Sequence, residues 1–134
     1  MCIIIATMNT GTSGSKSLNQ ALSSRFKQSY ILADQPKDVF TKILASRYSG
    51  KKADCTWVEK AYTKIKNYLA SPEINREDLS HNISMRACFG ALENMEEGED
   101  RKTAVINSIV GKIAESDIEI AKDVINKVVS NLPE

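Results

Sequence analysis

The residues best suited to chemistry lie near the start of the chain, in a stretch of small polar side chains. Gly11 and Gly14 are followed by Lys16 and Ser17, and the apolar run 2–6 precedes them. Glycines let backbone N–H groups curl around a phosphate, a lysine neutralises its charge, and a serine hydroxyl can meet Mg²⁺. The segment predicts a phosphate-binding loop between a strand and a helix.

This segment resembles the phosphate-binding loop of P-loop nucleotide-binding proteins, over about the first 34 residues. The resemblance implies that a nucleotide phosphate is held by four residues: Gly11, Gly14, Lys16 and Ser17. The chain departs from the pattern at Ser15, where the family has a glycine directly before the lysine. A P-loop domain also needs several parallel strands, whereas beyond Asp34 the periodicity is helical. A flexible linker behind an N-terminal arm is the alternative interpretation.

Other reactive side chains are few and scattered. The cysteines, Cys2, Cys55 and Cys88, are too far apart in sequence to indicate a zinc cluster or a disulfide framework, so we expect free thiols. Cys2 invites comparison with hydrolases that use an N-terminal thiol, but their folds need large stacked sheets. His81 and Cys88 lie about two turns apart on a straight helix and cannot pair. We therefore expect no metal, no cofactor and a non-enzymatic protein.

Apolar side chains recur at helical spacing after the polar loop, which predicts five or six helices. Residues or motifs typical of helix starts occur at five places: Ser17, Asp34 with Pro36, Asp54, Ser80 and Ser116. Stops are predicted at Gly50, Ser71 with Pro72, and Gly98.

The last two predicted helices are rich in isoleucine and valine, so packing must hold them. Their apolar stripes run from Val105 to Ile113 and from Ala121 to Leu132, and both Ile106 and Ile125 are assigned to the inward side. One continuous helix over residues 101–131 is an open alternative.

These patterns predict a mainly α protein, a compact bundle of five or six helices with one short N-terminal strand or arm. Residues 1–16 form the arm and its Gly/Ser/Thr-rich loop, and residues 17–134 form the helical domain. Within that domain, residues 17–71 are basic and aromatic, and residues 72–134 are acidic and aliphatic. An α-solenoid is the alternative, which we disfavour because no motif recurs at a fixed period.

The charge of the chain is strongly divided. Residues 37–66 hold eight basic and three acidic side chains, whereas residues 93–134 hold five basic and ten acidic ones. The basic segment is interleaved with aromatic rings, a pattern that can follow a nucleic-acid backbone. Because these rings fall at core spacing, a solvated basic face is the preferred interpretation. The acidic run 93–100 lacks the alternating ligands of a calcium loop and predicts a solvated turn.

A polarised helical domain without a catalytic set favours a protein-interaction or regulatory module, such as an adaptor, chaperone, inhibitor or secreted effector. Its partner is another protein, and a homodimer is an open alternative. The expected contact residues are the apolar arm and the charged poles: Ile3, Ile4, Ile5, Lys51, Lys52, Lys60, Lys64, Glu96 and Glu97.

The start of the chain also bears on its location. Its longest apolar run, residues 2–6, is far shorter than the roughly 20 residues of a membrane span and lacks the form of a secretory signal. A start poor in charge and rich in Ser, Thr, Asn and Ile resembles the leaders by which some bacteria export effectors through injection machines. We expect a protein without a membrane span, either cytoplasmic or exported by a specialised bacterial system without a cleaved signal peptide.

Overall fold

Helices dominate the computed structural model, which describes residues 3–8, 24–26, 28–30, 35–48 and 51–134. The chain divides into two units, Met1–Asp34 and Gln35–Glu134. In the first unit, residues 3–8 form neither helix nor strand, and Ser24 and Arg25 lie in a turn. The predicted strand is therefore wrong for residues 3–6, since an isolated apolar run gains no ladder hydrogen bonds without a neighbouring strand. Most of the helix predicted from Ser17 lies outside the described residues.

The second unit is a bundle of six helices in its described residues, which confirms the mainly α fold. The first four are α1 (Lys37–Arg47), α2 (Lys52–Leu69), α3 (Glu77–Asn82) and α4 (Met85–Glu96). Helix α5 comprises Arg101–Val105, a π-helical turn Ile106–Val110 and Gly111–Ala114, and α6 comprises Ile118–Val124 and a second π-helical turn, Ile125–Val129.

The helix ends follow local chemistry. Pro36 precedes the first residue of α1, as its fixed φ and missing N–H favour. Gly98, with φ of 105°, turns the chain after α4. The Asp100 side chain then caps α5 by accepting hydrogen bonds from the N–H groups of Lys102 and Thr103. The stops predicted at Pro72 and Gly98 are confirmed, and α2 begins two residues before the predicted start at Asp54.

Two predicted helix caps are wrong. Ser80 does not cap α4, because it is buried inside the separate short helix α3. Ile83 lies between α3 and α4 in an extended backbone conformation, and it is buried in the core with 2% of its surface exposed. Ser116 does not cap α6 either, because Asp117 does. The open alternative of one continuous helix over residues 101–131 is excluded, since the helix ends after Ala114 and the two separate helices are confirmed.

One apolar core joins all six helices. Its fully buried side chains include Leu44, Ile65, Leu69, Leu79, Leu92, Ile109, Ile113 and Val124. Polar contacts tie helix ends across this core: Arg101 pairs with Asp54 at 2.7 Å, and the indole N–H of Trp57 donates to the Pro133 carbonyl at 2.8 Å. These contacts fix the ends of α5 and α6 against α2.

The two π-helical turns are related by sequence. Val105-Ile-Asn-Ser-Ile-Val110 and Val124-Ile-Asn-Lys-Val-Val129 match at four of six positions, 19 residues apart, with Ile109 replaced by valine at one of the others. Both turns end on the same bond, because the N–H groups of Gly111 and Ser130 donate to the carbonyls of Ile106 and Ile125 five residues earlier. The expectation that no motif recurs is therefore wrong for this helix pair, although two copies do not make a solenoid.

Candidate interaction site

A shallow apolar groove of about 400 Å³ lies between α5 and α6. Its apolar lining comes from both helices: Ile106, Val110, Ala114, Ile118, Ala121 and Ile125. Two polar side chains, Asn107 and Lys122, also border it.

The π-helical turns place Ile106 and Ile125 in this groove. Each turn inserts one extra residue between its hydrogen-bonded groups, so buried residues five apart, such as Val105 and Val110, reach the core together. Ile106 and Ile125 are left half-buried at the groove wall. Both isoleucines still pack against the core, so their assignment to the inward stripe is confirmed in part.

Ile118 stands at the mouth of the groove because of how α6 begins. It directly follows the cap residue Asp117, whose carboxylate accepts a hydrogen bond from the Ile120 N–H at 3.1 Å and also binds Arg76. The side chain of Ile118 remains 60% exposed. The contacts of Asp117 with Ile120 and Arg76 thus fix the start of α6, where the side chain of Ile118 is exposed to solvent beside the groove.

The charges around the groove are paired within their own helices. Lys112 contacts Glu115 at 2.8 Å, Lys122 contacts Glu119 at 2.9 Å, and Lys127 lies 3.9 Å from Asp123. Such exposed local pairs contribute little stability. Lys122, the charged residue that borders the groove, is thus paired within its own helix.

The shape of the groove limits what it can hold. Small-molecule sites usually enclose most of their ligand and add a few converging polar groups. This groove is open along its length, and Asn107 is already engaged with Glu99 at 3.1 Å. The groove therefore lacks the enclosure that is typical of a small-molecule site.

The residues of the apolar arm (residues 3–8) are all exposed. Ile3, Ile4 and Ile5 are 78%, 76% and 84% exposed, and Met8 is 48% exposed. The residues predicted to bind phosphate, Gly11, Gly14, Lys16 and Ser17, lie outside the described residues, as does Cys2. Nucleotide binding stays a prediction.

The predicted basic pole lies along α2. Lys52, Lys60 and Lys64 are exposed, and Lys51 just before the helix is half-buried. Neither acidic residue of α2 offsets the charge of these lysines: Asp54 forms an ion pair with Arg101, and Glu59 is buried beside Thr63 and Lys37. The exposed side of α2 is therefore a lysine stripe (Lys52, Lys60 and Lys64).

The predicted acidic pole is the turn between α4 and α5. Glu96 and Glu97 are exposed there and form no ion pair within the described ranges. Glu93, one helical turn earlier, instead binds Arg47 at 3.2 Å and accepts a hydrogen bond from the Tyr48 hydroxyl at 2.9 Å. Only part of the acidic run is left available for a partner.

The two described thiols are poorly suited to nucleophilic chemistry. Burial, and then the nearby Glu59 carboxylate, raises the pKa of Cys88 to about 12. Burial, and then Asp54, also raises the pKa of Cys55. Both thiols are thus kept protonated and away from solvent at neutral pH. His81 is exposed on α3, and no group of three or more potential metal ligands occurs in the part of the chain that the structure describes.

Glu59 is a buried carboxylate that the sequence analysis did not single out. It is 2% exposed; one oxygen accepts a hydrogen bond from Thr63 at 2.9 Å, and the other lies 3.7 Å from the Lys37 ammonium without a hydrogen bond. The i,i+4 spacing of Glu59 and Thr63 was visible in the sequence, but the burial depends on how α1 packs.

The groove was also missed, although a signal for it exists. The repeated Val-Ile-Asn motif marks both walls, and its second residue is the groove isoleucine in each copy. A comparison of the two final helices at an offset of 19 residues would have paired Ile106 with Ile125.

None of the helices in the described ranges is long and apolar enough to cross a bilayer. No protein-family model matches this chain, and neither the curated proteins nor the solved structures contain a significant match to it.

Proposed function

We propose that this protein is a non-enzymatic interaction module that docks an apolar segment of a partner protein into the groove between α5 and α6. Adaptors, chaperones, inhibitors and exported effectors all depend on such docking. The observation that carries the proposal is the exposure of the Ile118 side chain. In the described residues of the second unit, it is the large apolar side chain left exposed, and it borders the groove.

The energetics favour a macromolecular occupant. Covering an isoleucine side chain contributes about 1.5–3 kcal/mol. The groove offers Ile106, Ile118 and Ile125 to one apolar segment. Lys122, which borders the groove, is already paired with Glu119, so the segment does not have to supply a counter-ion. Such a surface can bind an uncharged chain segment without leaving a charge buried and unpaired.

Affinity capture from cell extract tests this function with three baits. The wild-type protein is compared with Ile118→Asp and with a matched control, Ser116→Asp, which adds the same charge two residues away at an exposed position outside the groove lining. We expect a discrete set of partners to be lost with Ile118→Asp and kept with Ser116→Asp. Loss of about 2 kcal/mol corresponds to a decrease in affinity of more than tenfold. Equal capture by all three baits would contradict docking in the groove.

Nucleic-acid binding is a second candidate, favoured by the lysine stripe on α2. Its lysines form no ion pair with described residues, and the acidic residues of the helix are occupied. The Tyr48 and Trp57 rings, however, are each 6% exposed, so base stacking on them is blocked. Binding would therefore depend on phosphate contacts.

Salt dependence separates this candidate from protein docking. If nucleic acid binds, the Kd for single-stranded oligonucleotides should rise steeply with salt, and Lys60→Glu combined with Lys64→Glu should reduce the slope by about two. The combination Lys112→Glu with Lys122→Glu, at lysines already paired with glutamates, serves as the control for net charge. A Kd that ignores salt would reject nucleic-acid binding.

A further inference from the structure

We propose that the segment that occupies the groove is the apolar arm of a second copy of this chain, which gives a homodimer with two arm-to-groove contacts. This inference rests on the proposed function, because it names the partner of the same groove. It depends on a match between two surfaces that the structure describes separately.

The apolar arm is a suitable ligand. Its sequence, Ile3-Ile-Ile-Ala-Thr-Met8, has no charged side chain, and its three adjacent isoleucines are each more than three-quarters exposed. A cluster of large apolar side chains in water commonly marks an interaction surface in soluble proteins. The arm therefore needs an apolar surface to cover it.

The groove selects for this kind of segment. Its lining is mostly aliphatic, and Lys122, which borders it, is paired with Glu119. A strongly acidic or basic helix would find no complementary charge there. An uncharged aliphatic segment can enter the groove without taking a charged group out of water.

The number of subunits follows from how the arms are exchanged. When each of two copies gives its arm and receives the other, the contacts are equivalent and the assembly closes at two subunits. This closure predicts a dimer rather than a filament.

Sedimentation equilibrium of the full chain across the micromolar range tests the dimer. We expect Ile4→Asp, on the arm, and Ile118→Asp, beside the groove, each to raise the dimer dissociation constant roughly a hundred- to ten-thousandfold, because a homodimer of either variant carries the substitution in both contacts. An equimolar mixture of the two variants should dimerise more tightly than either variant alone, because the intact arm of Ile118→Asp can enter the intact groove of Ile4→Asp. Circular dichroism melts check that both variants remain folded.

Cross-linking then shows where the arm binds. A photoreactive amino acid is placed at Ile4 in a ¹⁵N-labelled copy, which is mixed with an unlabelled copy. Mixed-isotope peptides that join the arm to the segment spanning Ile106 to Ile125 are the expected product. Cross-links confined to one isotope would overturn the proposal, as would a monomeric wild-type protein or a dimer indifferent to both substitutions.

The two proposals can fail separately. A wild-type protein that is monomeric but captures partners only when Ile118 is present would refute the dimer and retain the docking function. If both self-association and partner capture are insensitive to Ile118→Asp, the docking function itself is wrong.

Discussion

Single polar side chains hold the helix ends of this fold in place. Asp117 is the clearest case, because one carboxylate caps α6 and binds Arg76, which also contacts Asp78 at 3.0 Å. The hydrogen bond from the Ile120 N–H, followed by Arg76, lowers the pKa of Asp117. A sequence-based reading placed the cap one residue earlier, at Ser116, because the capping-box pattern does not report the tertiary contact with Arg76.

Asp117→Asn should reduce the acid sensitivity of the fold. Since the pKa of Asp117 is lower in the folded state, its contribution to stability is present above the ordinary aspartate value of about 3.9 and is lost as pH falls below it. Asparagine still caps a helix but has no charge to lose. Thermal melts from neutral to strongly acidic pH should show a smaller decrease in Tm for the variant than for the wild-type protein. Equal decreases would contradict this role for Asp117.

Tyr48→Phe tests the opposite end of the pH range. Burial, followed by the hydrogen bond to Glu93, raises the pKa of Tyr48 to about 12. The contribution of the neutral phenol is therefore complete below the ordinary tyrosine value of about 10 and is lost as pH rises from there to about 12. Urea unfolding should show a cost of about 1 kcal/mol at neutral pH. The difference from the wild type should shrink in strong base; a constant difference would show that the lost contact is not linked to ionisation.

At the scale of elements, the final helix pair is the most informative part of the chain. Periodicity correctly identified two apolar helices there, and the fully buried positions Val105, Ile109 and Ile113 were in the predicted stripe. A regular 3.6-residue period could not show that each helix widens into a π-helical turn. That widening decides which isoleucines enter the core and which line the groove.

Gly111→Ala should stabilise the fold. Gly111 ends the first π-helical turn, and an added Cβ would meet only the Ile106 carbonyl oxygen at 3.7 Å, an ordinary contact. Replacing a glycine inside a helix with alanine contributes about 0.5–1 kcal/mol. Chemical denaturation measures the change. A loss of stability would mean that the widened turn requires glycine.

Gly98→Ala provides the comparison, since a Cβ added at this glycine would meet nothing within 4 Å but its φ is 105°. Alanine is strained in that conformation, and we expect a loss of about 1–2 kcal/mol in the free energy of unfolding. Unchanged stability would show that the turn after α4 can adopt another backbone conformation without cost.

At the scale of the whole molecule, the sequence predicted the class of fold but not the apolar groove on its surface. Apolar periodicity identifies buried sides of helices, and it placed Leu44, Ile65 and Leu92 correctly in the core. The split between α3 and α4 depends on the burial of Ile83 among distant residues, which periodicity does not report. Charge division drew attention to the lysines of α2, whereas the groove arises only when α5 and α6 pack side by side.

The central claim is that the groove between α5 and α6 receives a protein segment. The most direct test is photo-cross-linking in cells from a reactive amino acid placed at Ile118, with the same group at Lys60 on α2 as the control. We predict covalent protein adducts of discrete mass from position 118, whether the captured chain is a second copy or another protein, and their absence from position 60. Adducts from position 60 alone, or the same adducts from both positions, would contradict the account.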